Sequence, residues 1–102
     1  MGNSTILDIL LLNPYFSDVE LLPSDYRKIA VCESSLNPEA VNQTGKYRGL
    51  FQFDDRSWGY VGGTGDPAQA SVREQLLRAQ ILVSKQGFSR AFPQCSKIMG
   101  VK

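Results

Sequence analysis

Glu33 is the side chain around which chemistry can be built. Read as a helix, Tyr26, Ile29, Ala30 and Glu33 fall at i, i+3, i+4 and i+7, so an apolar face ends in a carboxylate. Burying a carboxyl disfavours its ionised form and raises its pKa, which suits a general acid working near neutral pH. A structural glutamate held in a salt bridge would satisfy the same pattern. The chain has no His. That removes the Ser-His and Cys-His nucleophile pairs and the commonest metal ligand, leaving carboxylates, Lys and Tyr as acid–base candidates. Cys32 and Cys95 without His cannot close a zinc site, so they form either a disulfide or two buried thiols. A bridge between them would close a long loop, contributing roughly 4 kcal/mol in the chain-entropy model. It would also point to an oxidising, extracytoplasmic destination.

One small domain must position these groups, since 102 residues suffice for a single modest core. A hydrophobic share of 42% with 21% charge is ordinary for a soluble globular chain. The net charge is +1 and the Lys and Arg residues are scattered, so no basic stripe exists to replace phosphate counterions and nucleic acid is not an expected partner. Residues 1–23 read as an N-terminal extension, helical or partly ordered, that packs on a domain spanning 24–102. Its apolar run at 6–12, interrupted by Asp8, is too short to cross a bilayer and lacks the basic flank and cleavage site of a signal peptide. Ile6 also breaks the myristoylation pattern.

Within the domain, Ser24 is the predicted N-cap of the Glu33 helix, with Asp25 in its first turn, and Asn37-Pro38 its end. Asn42-Gln43-Thr44-Gly45 predicts a turn, and residues 49–53 a short buried strand or extended segment. Asp54 caps a brief helix over 54–60 that presents Ser57 and Trp58, and 62–67 is a flexible loop. Ser71-Val72-Arg73-Glu74 is a capping box opening a helix with Val72, Leu76, Ala79 and Val83 on one face and Gly87 as its stop. Phe88, Phe92 and Pro93 lead to Cys95 and a last turn ending at Gly100.

Seven segments occur in order: Cys32-Glu33-Ser34, Gly49-Leu50-Phe51-Gln52-Phe53, Ser57-Trp58, Gly62-Gly63, Arg73-Glu74-Gln75, Gln86-Gly87-Phe88 and Phe92-Pro93-Gln94-Cys95-Ser96. Together they resemble the catalytic domain of the resuscitation-promoting factors, a transglycosylase-like family of the lysozyme-like superfamily that cuts peptidoglycan. The Glu33-Ser34 pair followed by Gly49-Leu50-Phe51-Gln52 is also similar to the motif of soluble lytic transglycosylases. The resemblance implies an α+β fold: a small, mainly helical lysozyme-like domain with a short β segment flanking the active-site groove. It implies that Glu33 is the catalytic acid and that Cys32 and Cys95 form a disulfide. It further implies substrate contacts at Ser34, Tyr47, Gln52, Ser57, Trp58 and Gln86. For Gln52 a backbone-tying role and for Trp58 a place in the core are the structural alternatives. Phe88 and Phe92 stand where the family usually has Trp.

Cleaving a β-1,4 glycosidic bond needs a proton for the leaving oxygen and a means of handling the oxocarbenium-like centre. Glu33 supplies the first. In the lysozymes that this chain resembles, a second carboxylate precedes the Gly-x-x-Gln segment, about where Tyr47 stands. With one carboxyl the economical chemistry is lytic transglycosylation, in which Glu33 acts in turn as acid and base and closes a 1,6-anhydro ring on muramic acid. Neither a cofactor nor a metal is needed. A hydrolysing muramidase using Asp54 or Asp55 is the rival within enzymes, although both read better as helix caps. A weakly catalytic or non-catalytic glycan-binding domain is the rival outside them. The expected partner is a peptidoglycan glycan strand, with no nucleic acid and no integral membrane segment, and the protein itself is expected to be a monomer. The expected location is extracytoplasmic: secreted, cell-wall associated or phage-virion associated.

Overall fold

The helix that carries Glu33 is the first of five α-helices in the computed structural model, which describes residues 18–102. The apolar run at 6–12 therefore lies outside the described residues. Helix α1 (Ser24–Ser34) follows a 3₁₀ turn, Asp18–Leu21, in which Arg27 donates to the Val19 carbonyl at 3.1 Å and beyond which Leu22 joins the core. Pro23, not Ser24, is the N-cap residue: its carbonyl accepts the Arg27 amide at 2.8 Å, and no side chain caps the end. Asp25 sits in the first turn, where a negative charge suits the helix dipole. The helix stops three residues before the predicted Asn37-Pro38 boundary. Ser35 and Leu36 both take positive φ, 56° and 63°, and their amides close onto the Val31 and Ala30 carbonyls.

Residues 49–53 are a turn and not the predicted strand. Among the described residues, extended pairing is confined to isolated bridges of Arg48 with Val41 and with Phe53. The mutual hydrogen bonds of Arg48 and Phe53, both 3.0 Å, bracket a loop in which Gly49 has φ 86° and Gln52 φ 53°. A glycine is required at position 49, because a Cβ there would lie 2.6 Å from Gln75 Oε1 as well as meeting the unfavourable φ. Buried Leu50, Phe51 and Phe53 account for the strand-like apolar run.

Helix α2 (Asp55–Tyr60) starts as predicted on Asp54, whose carboxylate accepts the Ser57 amide at 2.8 Å. The segment 62–67 is tied down. Trp58 Nε1 donates to the Thr64 carbonyl, Arg78 to the Val61 carbonyl, and Asp66 holds Arg48 in a two-pronged ion pair with both contacts at 2.7 Å. Asp66 also caps the 3₁₀ turn Pro67–Gln69. Helix α3 (Val72–Gln86) opens on Ser71, which accepts the Glu74 amide, and ends at Gly87. Leu76, Ala79 and Leu82 are buried along it. Helices α4 (Phe88–Ala91) and α5 (Pro93–Met99) return the chain across α1. There the disulfide Cys32–Cys95 joins α1 to α5, with Cα atoms 5.7 Å apart.

An aromatic series runs through the core from Phe88 and Tyr26 to Phe51, then to Phe92 on one side and to Phe53 and Trp58 on the other, with successive centroids 5.0–6.5 Å apart. Phe88 and Phe92 fill this series by ring packing alone, which no indole N–H is needed to satisfy.

Candidate active site

Helix α1 delivers Glu33 from the end of its buried Ile29–Ala30 face into a cleft of about 500 Å³. The loop 47–52 forms one wall through Tyr47 and Gln52, the α4–α5 junction forms the other through Ala91, Pro93 and Gln94, and Phe51 and Phe92 form an apolar floor. Burial pushes the Glu33 carboxyl up to about 6. Among the described residues no side chain or amide donates a hydrogen bond to it and no cation pairs with it, so nothing counteracts the desolvation. It is also the one acidic residue lining this cavity. Such a group holds its proton close to neutral pH and can give it up, the property required of a general acid. Its cavity has ample room for a sugar-sized ligand.

The loop opposite Glu33 is positioned by a side chain that sequence reasoning passed over. Gln75 is 0% exposed and uses its whole amide. Its Oε1 accepts the Leu50 amide at 2.7 Å, and its Nε2 donates to the carbonyls of Pro38 and Ala70 at 3.1 and 2.9 Å. This anchors the floor of the cleft to α3. Gln52 donates to the Gly49 and Ala40 carbonyls at 2.9 and 3.4 Å, so its nitrogen ties the loop while its side chain lines the cleft. Three non-glycine residues among those described have positive φ: Ser35, Leu36 and Gln52. Gln52 lines the cleft, while Ser35 and Leu36 follow Glu33 closely in the chain. Such conformations each cost about 1–3 kcal/mol and persist where surrounding contacts impose them.

A narrower continuation of about 100 Å³ shares Tyr47, Gln52 and the aromatic floor with the main cleft and extends to Asp54, Ser57 and Leu82. The Ser57 amide holds the Asp54 carboxyl below its usual range, so the two acids of the groove are pushed apart, Glu33 up and Asp54 down. Of the residues expected to contact substrate, Tyr47, Gln52 and Ser57 line this composite groove. The other three lie off it. The Ser34 hydroxyl turns back to the Ala30 carbonyl at 3.0 Å. Trp58 is 3% exposed, packed against Phe53 beneath Gly63, where a Cβ would collide with the indole. Gln86 is exposed at the end of α3. Gln94 is the main lining residue missed. The disulfide gives its signal in retrospect, since Cys32 precedes Glu33 and Cys95 follows Gln94, so the bridge draws the two together.

Comparison with known proteins agrees with this geometry. Residues 22–95 match the transglycosylase-like domain family. The chain is 43% identical over 74 residues to resuscitation-promoting factor Rpf of Micrococcus luteus, covering 72% of this chain and 32% of that protein. It is 40% identical over 73 residues to resuscitation-promoting factor RpfC of Mycobacterium tuberculosis, covering 72% of this chain and 51% of that one. A third relative, RpfD of Mycobacterium tuberculosis, is 40% identical over 72 residues, with shares of 71% and 46%. The chain thus spans between about a third and a half of the length of these relatives. From the family match over most of its helices, and from the similarity to resuscitation-promoting factors, the chain belongs to the transglycosylase-like domain family.

Proposed function

We propose that the domain is a muralytic lytic transglycosylase that cleaves the β-1,4 bond between N-acetylmuramic acid and N-acetylglucosamine in peptidoglycan. The observation that carries this is the lone Glu33 carboxyl in its cleft, raised to about 6 with no second acid lining the same cavity. Protonated Glu33 gives its proton to the glycosidic oxygen as that bond breaks. The resulting carboxylate then takes the proton of the muramic acid 6-hydroxyl, whose oxygen closes on C1 to form the 1,6-anhydro ring. One group serves both steps, no water is consumed, and the proton count returns to its start. Tyr47 faces this centre where a resembling hydrolase offers its second carboxylate, and Gln52 is held by backbone carbonyls to present a fixed polar edge. Clearing of a purified peptidoglycan suspension tests the function: the parent should clear it, while Glu33→Gln should not, because an amide cannot donate the proton.

Asp54 supports a second reading, hydrolysis. It lines the same groove and stays ionised, so it is the group available to stabilise the oxocarbenium centre or activate water. Its hydrogen bond to the Ser57 amide favours a capping role. The disulfide fits an extracytoplasmic location, and the monomeric state is part of the same proposal. A role in resuscitation follows from the names of the bacterial relatives, which lend no support to a phage-virion setting.

A further inference from the structure

Beyond Ser57 two helix faces lead away from the narrow end of the groove, and among their residues Gln86 alone has been given an expected substrate contact. Ser57 lines the narrow end, and Tyr60 follows it at i+3 on α2, on the same side of the helix. Leu82 lines that end from α3, and Lys85 and Gln86 follow at i+3 and i+4. The two faces meet, because Lys85 Nζ lies over the Tyr60 ring, 5.2 Å from its centroid. Tyr60 is 56% exposed, one of the largest apolar surfaces left open among the described residues. Lys85 forms no ion pair with any described carboxylate. The arrangement repeats one already in the groove, where Lys46 Nζ stands 5.3 Å from the centroid of the half-exposed Tyr47 ring. Two tyrosines thus flank Ser57, each with an ammonium over its ring.

We propose that Tyr60 and Lys85 form a further saccharide subsite at the Ser57 end of the groove, stacking a distal sugar of the glycan strand on the Tyr60 ring and pairing Lys85 with the lactyl carboxylate of a muramic acid that bears no peptide. Resting on the muralytic function proposed above, the assignment extends its substrate from the cleaved bond to a longer stretch of strand. A flat aromatic face takes the C–H face of a pyranose, and the adjacent ammonium complements the lactyl carboxylate, which is free to ionise where no peptide is amide-linked to it.

The test uses the Glu33→Gln protein, in which ligand is not turned over, and calorimetric binding of chitotriose and chitohexaose. The longer ligand should bind more tightly. Tyr60→Ala in the same background should remove that advantage by roughly tenfold, the equivalent of about 1.4 kcal/mol, while leaving chitotriose affinity and melting temperature in place. Tyr60→Phe keeps the ring and should keep the advantage. Lys85→Gln should weaken only peptide-free muramyl strands, whose lactyl carboxylates are free, by about threefold and less at high salt. If Tyr60→Ala retains the full length advantage, or Tyr60→Phe loses it, the subsite is overturned. A Tyr60→Ala protein that melts lower with its length advantage intact shows a helix clamp and overturns it equally. Failure of the parent protein to clear purified peptidoglycan would overturn the muralytic function itself, separately from the subsite.

Discussion

Replacing Glu33 by Gln should make the protein more stable at neutral pH and leave it unchanged in acid. In the unfolded chain the carboxyl releases its proton near 4.5, whereas in the cleft it holds it to about 6. Below the lower value both states are protonated and the native state keeps its full stability. Between the two values the native state binds more protons than the unfolded one, so stability falls as pH rises, and the loss is complete above about 6. A shift of this size corresponds to at most about 2 kcal/mol at 1.36 kcal/mol per unit. Solvent reaching the open cleft lowers that to about 1 kcal/mol. For a domain of this size 1 kcal/mol moves the melting temperature by roughly 4–8 °C. Calorimetric melts of parent and Glu33→Gln protein, disulfide intact, from acid to neutral pH should therefore coincide below 4.5 and separate by several degrees at neutral pH, the variant melting higher. Parallel curves across the whole range would refute the reasoning, because an unstrained Glu33 would have an ordinary pKa and no stored readiness to protonate a leaving group.

Cys95→Ser should destabilise the fold by up to roughly 4 kcal/mol, since the lost bridge spans a sequence separation of 63, and non-reduced unfolded parent should show no free thiol on titration. Gln75→Ala leaves the Leu50 amide and the Pro38 and Ala70 carbonyls unpaired, and denaturant unfolding should show a loss of about 3 kcal/mol or more. Asp54→Asn keeps the helix cap but removes the charge, so wall clearing should stay within a few-fold of the parent. A near-complete loss with unchanged melting would move Asp54 into the chemistry.

What could be read from the chain was what local chemistry decides. The Asp54 and Ser71 caps depend on a side chain reaching an amide three residues on, and both form, although the return half of the Ser71 capping box does not, because Glu74 turns its carboxylate to Arg78. The Glu33 face depends on helical periodicity alone, and Ile29 and Ala30 beside it are buried as that periodicity requires. The errors come where distant partners decide. An apolar run such as Leu50-Phe51 with Phe53 is equally compatible with a buried strand or a buried turn. The turn wins because Gln75, 25 residues away, takes the Leu50 amide that a strand would have offered a neighbour. Trp58 takes the core place that was one of its two readings, drawn inward by the space at Gly63 and by the Thr64 carbonyl, neither of which its own helix reveals. The segment 62–67 reads as flexible from its glycines, yet Arg48 and Asp66 fix it across 18 positions of sequence. The early end of α1 rests on consecutive left-handed conformations at Ser35 and Leu36, which neither residue type favours on its own.

The chemistry assigned to Glu33 is tested most directly by the ends of the fragments that the protein releases from purified peptidoglycan. If Glu33 acts alone, first as acid and then as base, mass spectrometry should find 1,6-anhydromuramic acid termini, lighter by one water and resistant to borohydride, and none in reactions with Glu33→Gln. Reducible, hydrated termini would contradict the account, because a second group would then be activating water in the groove.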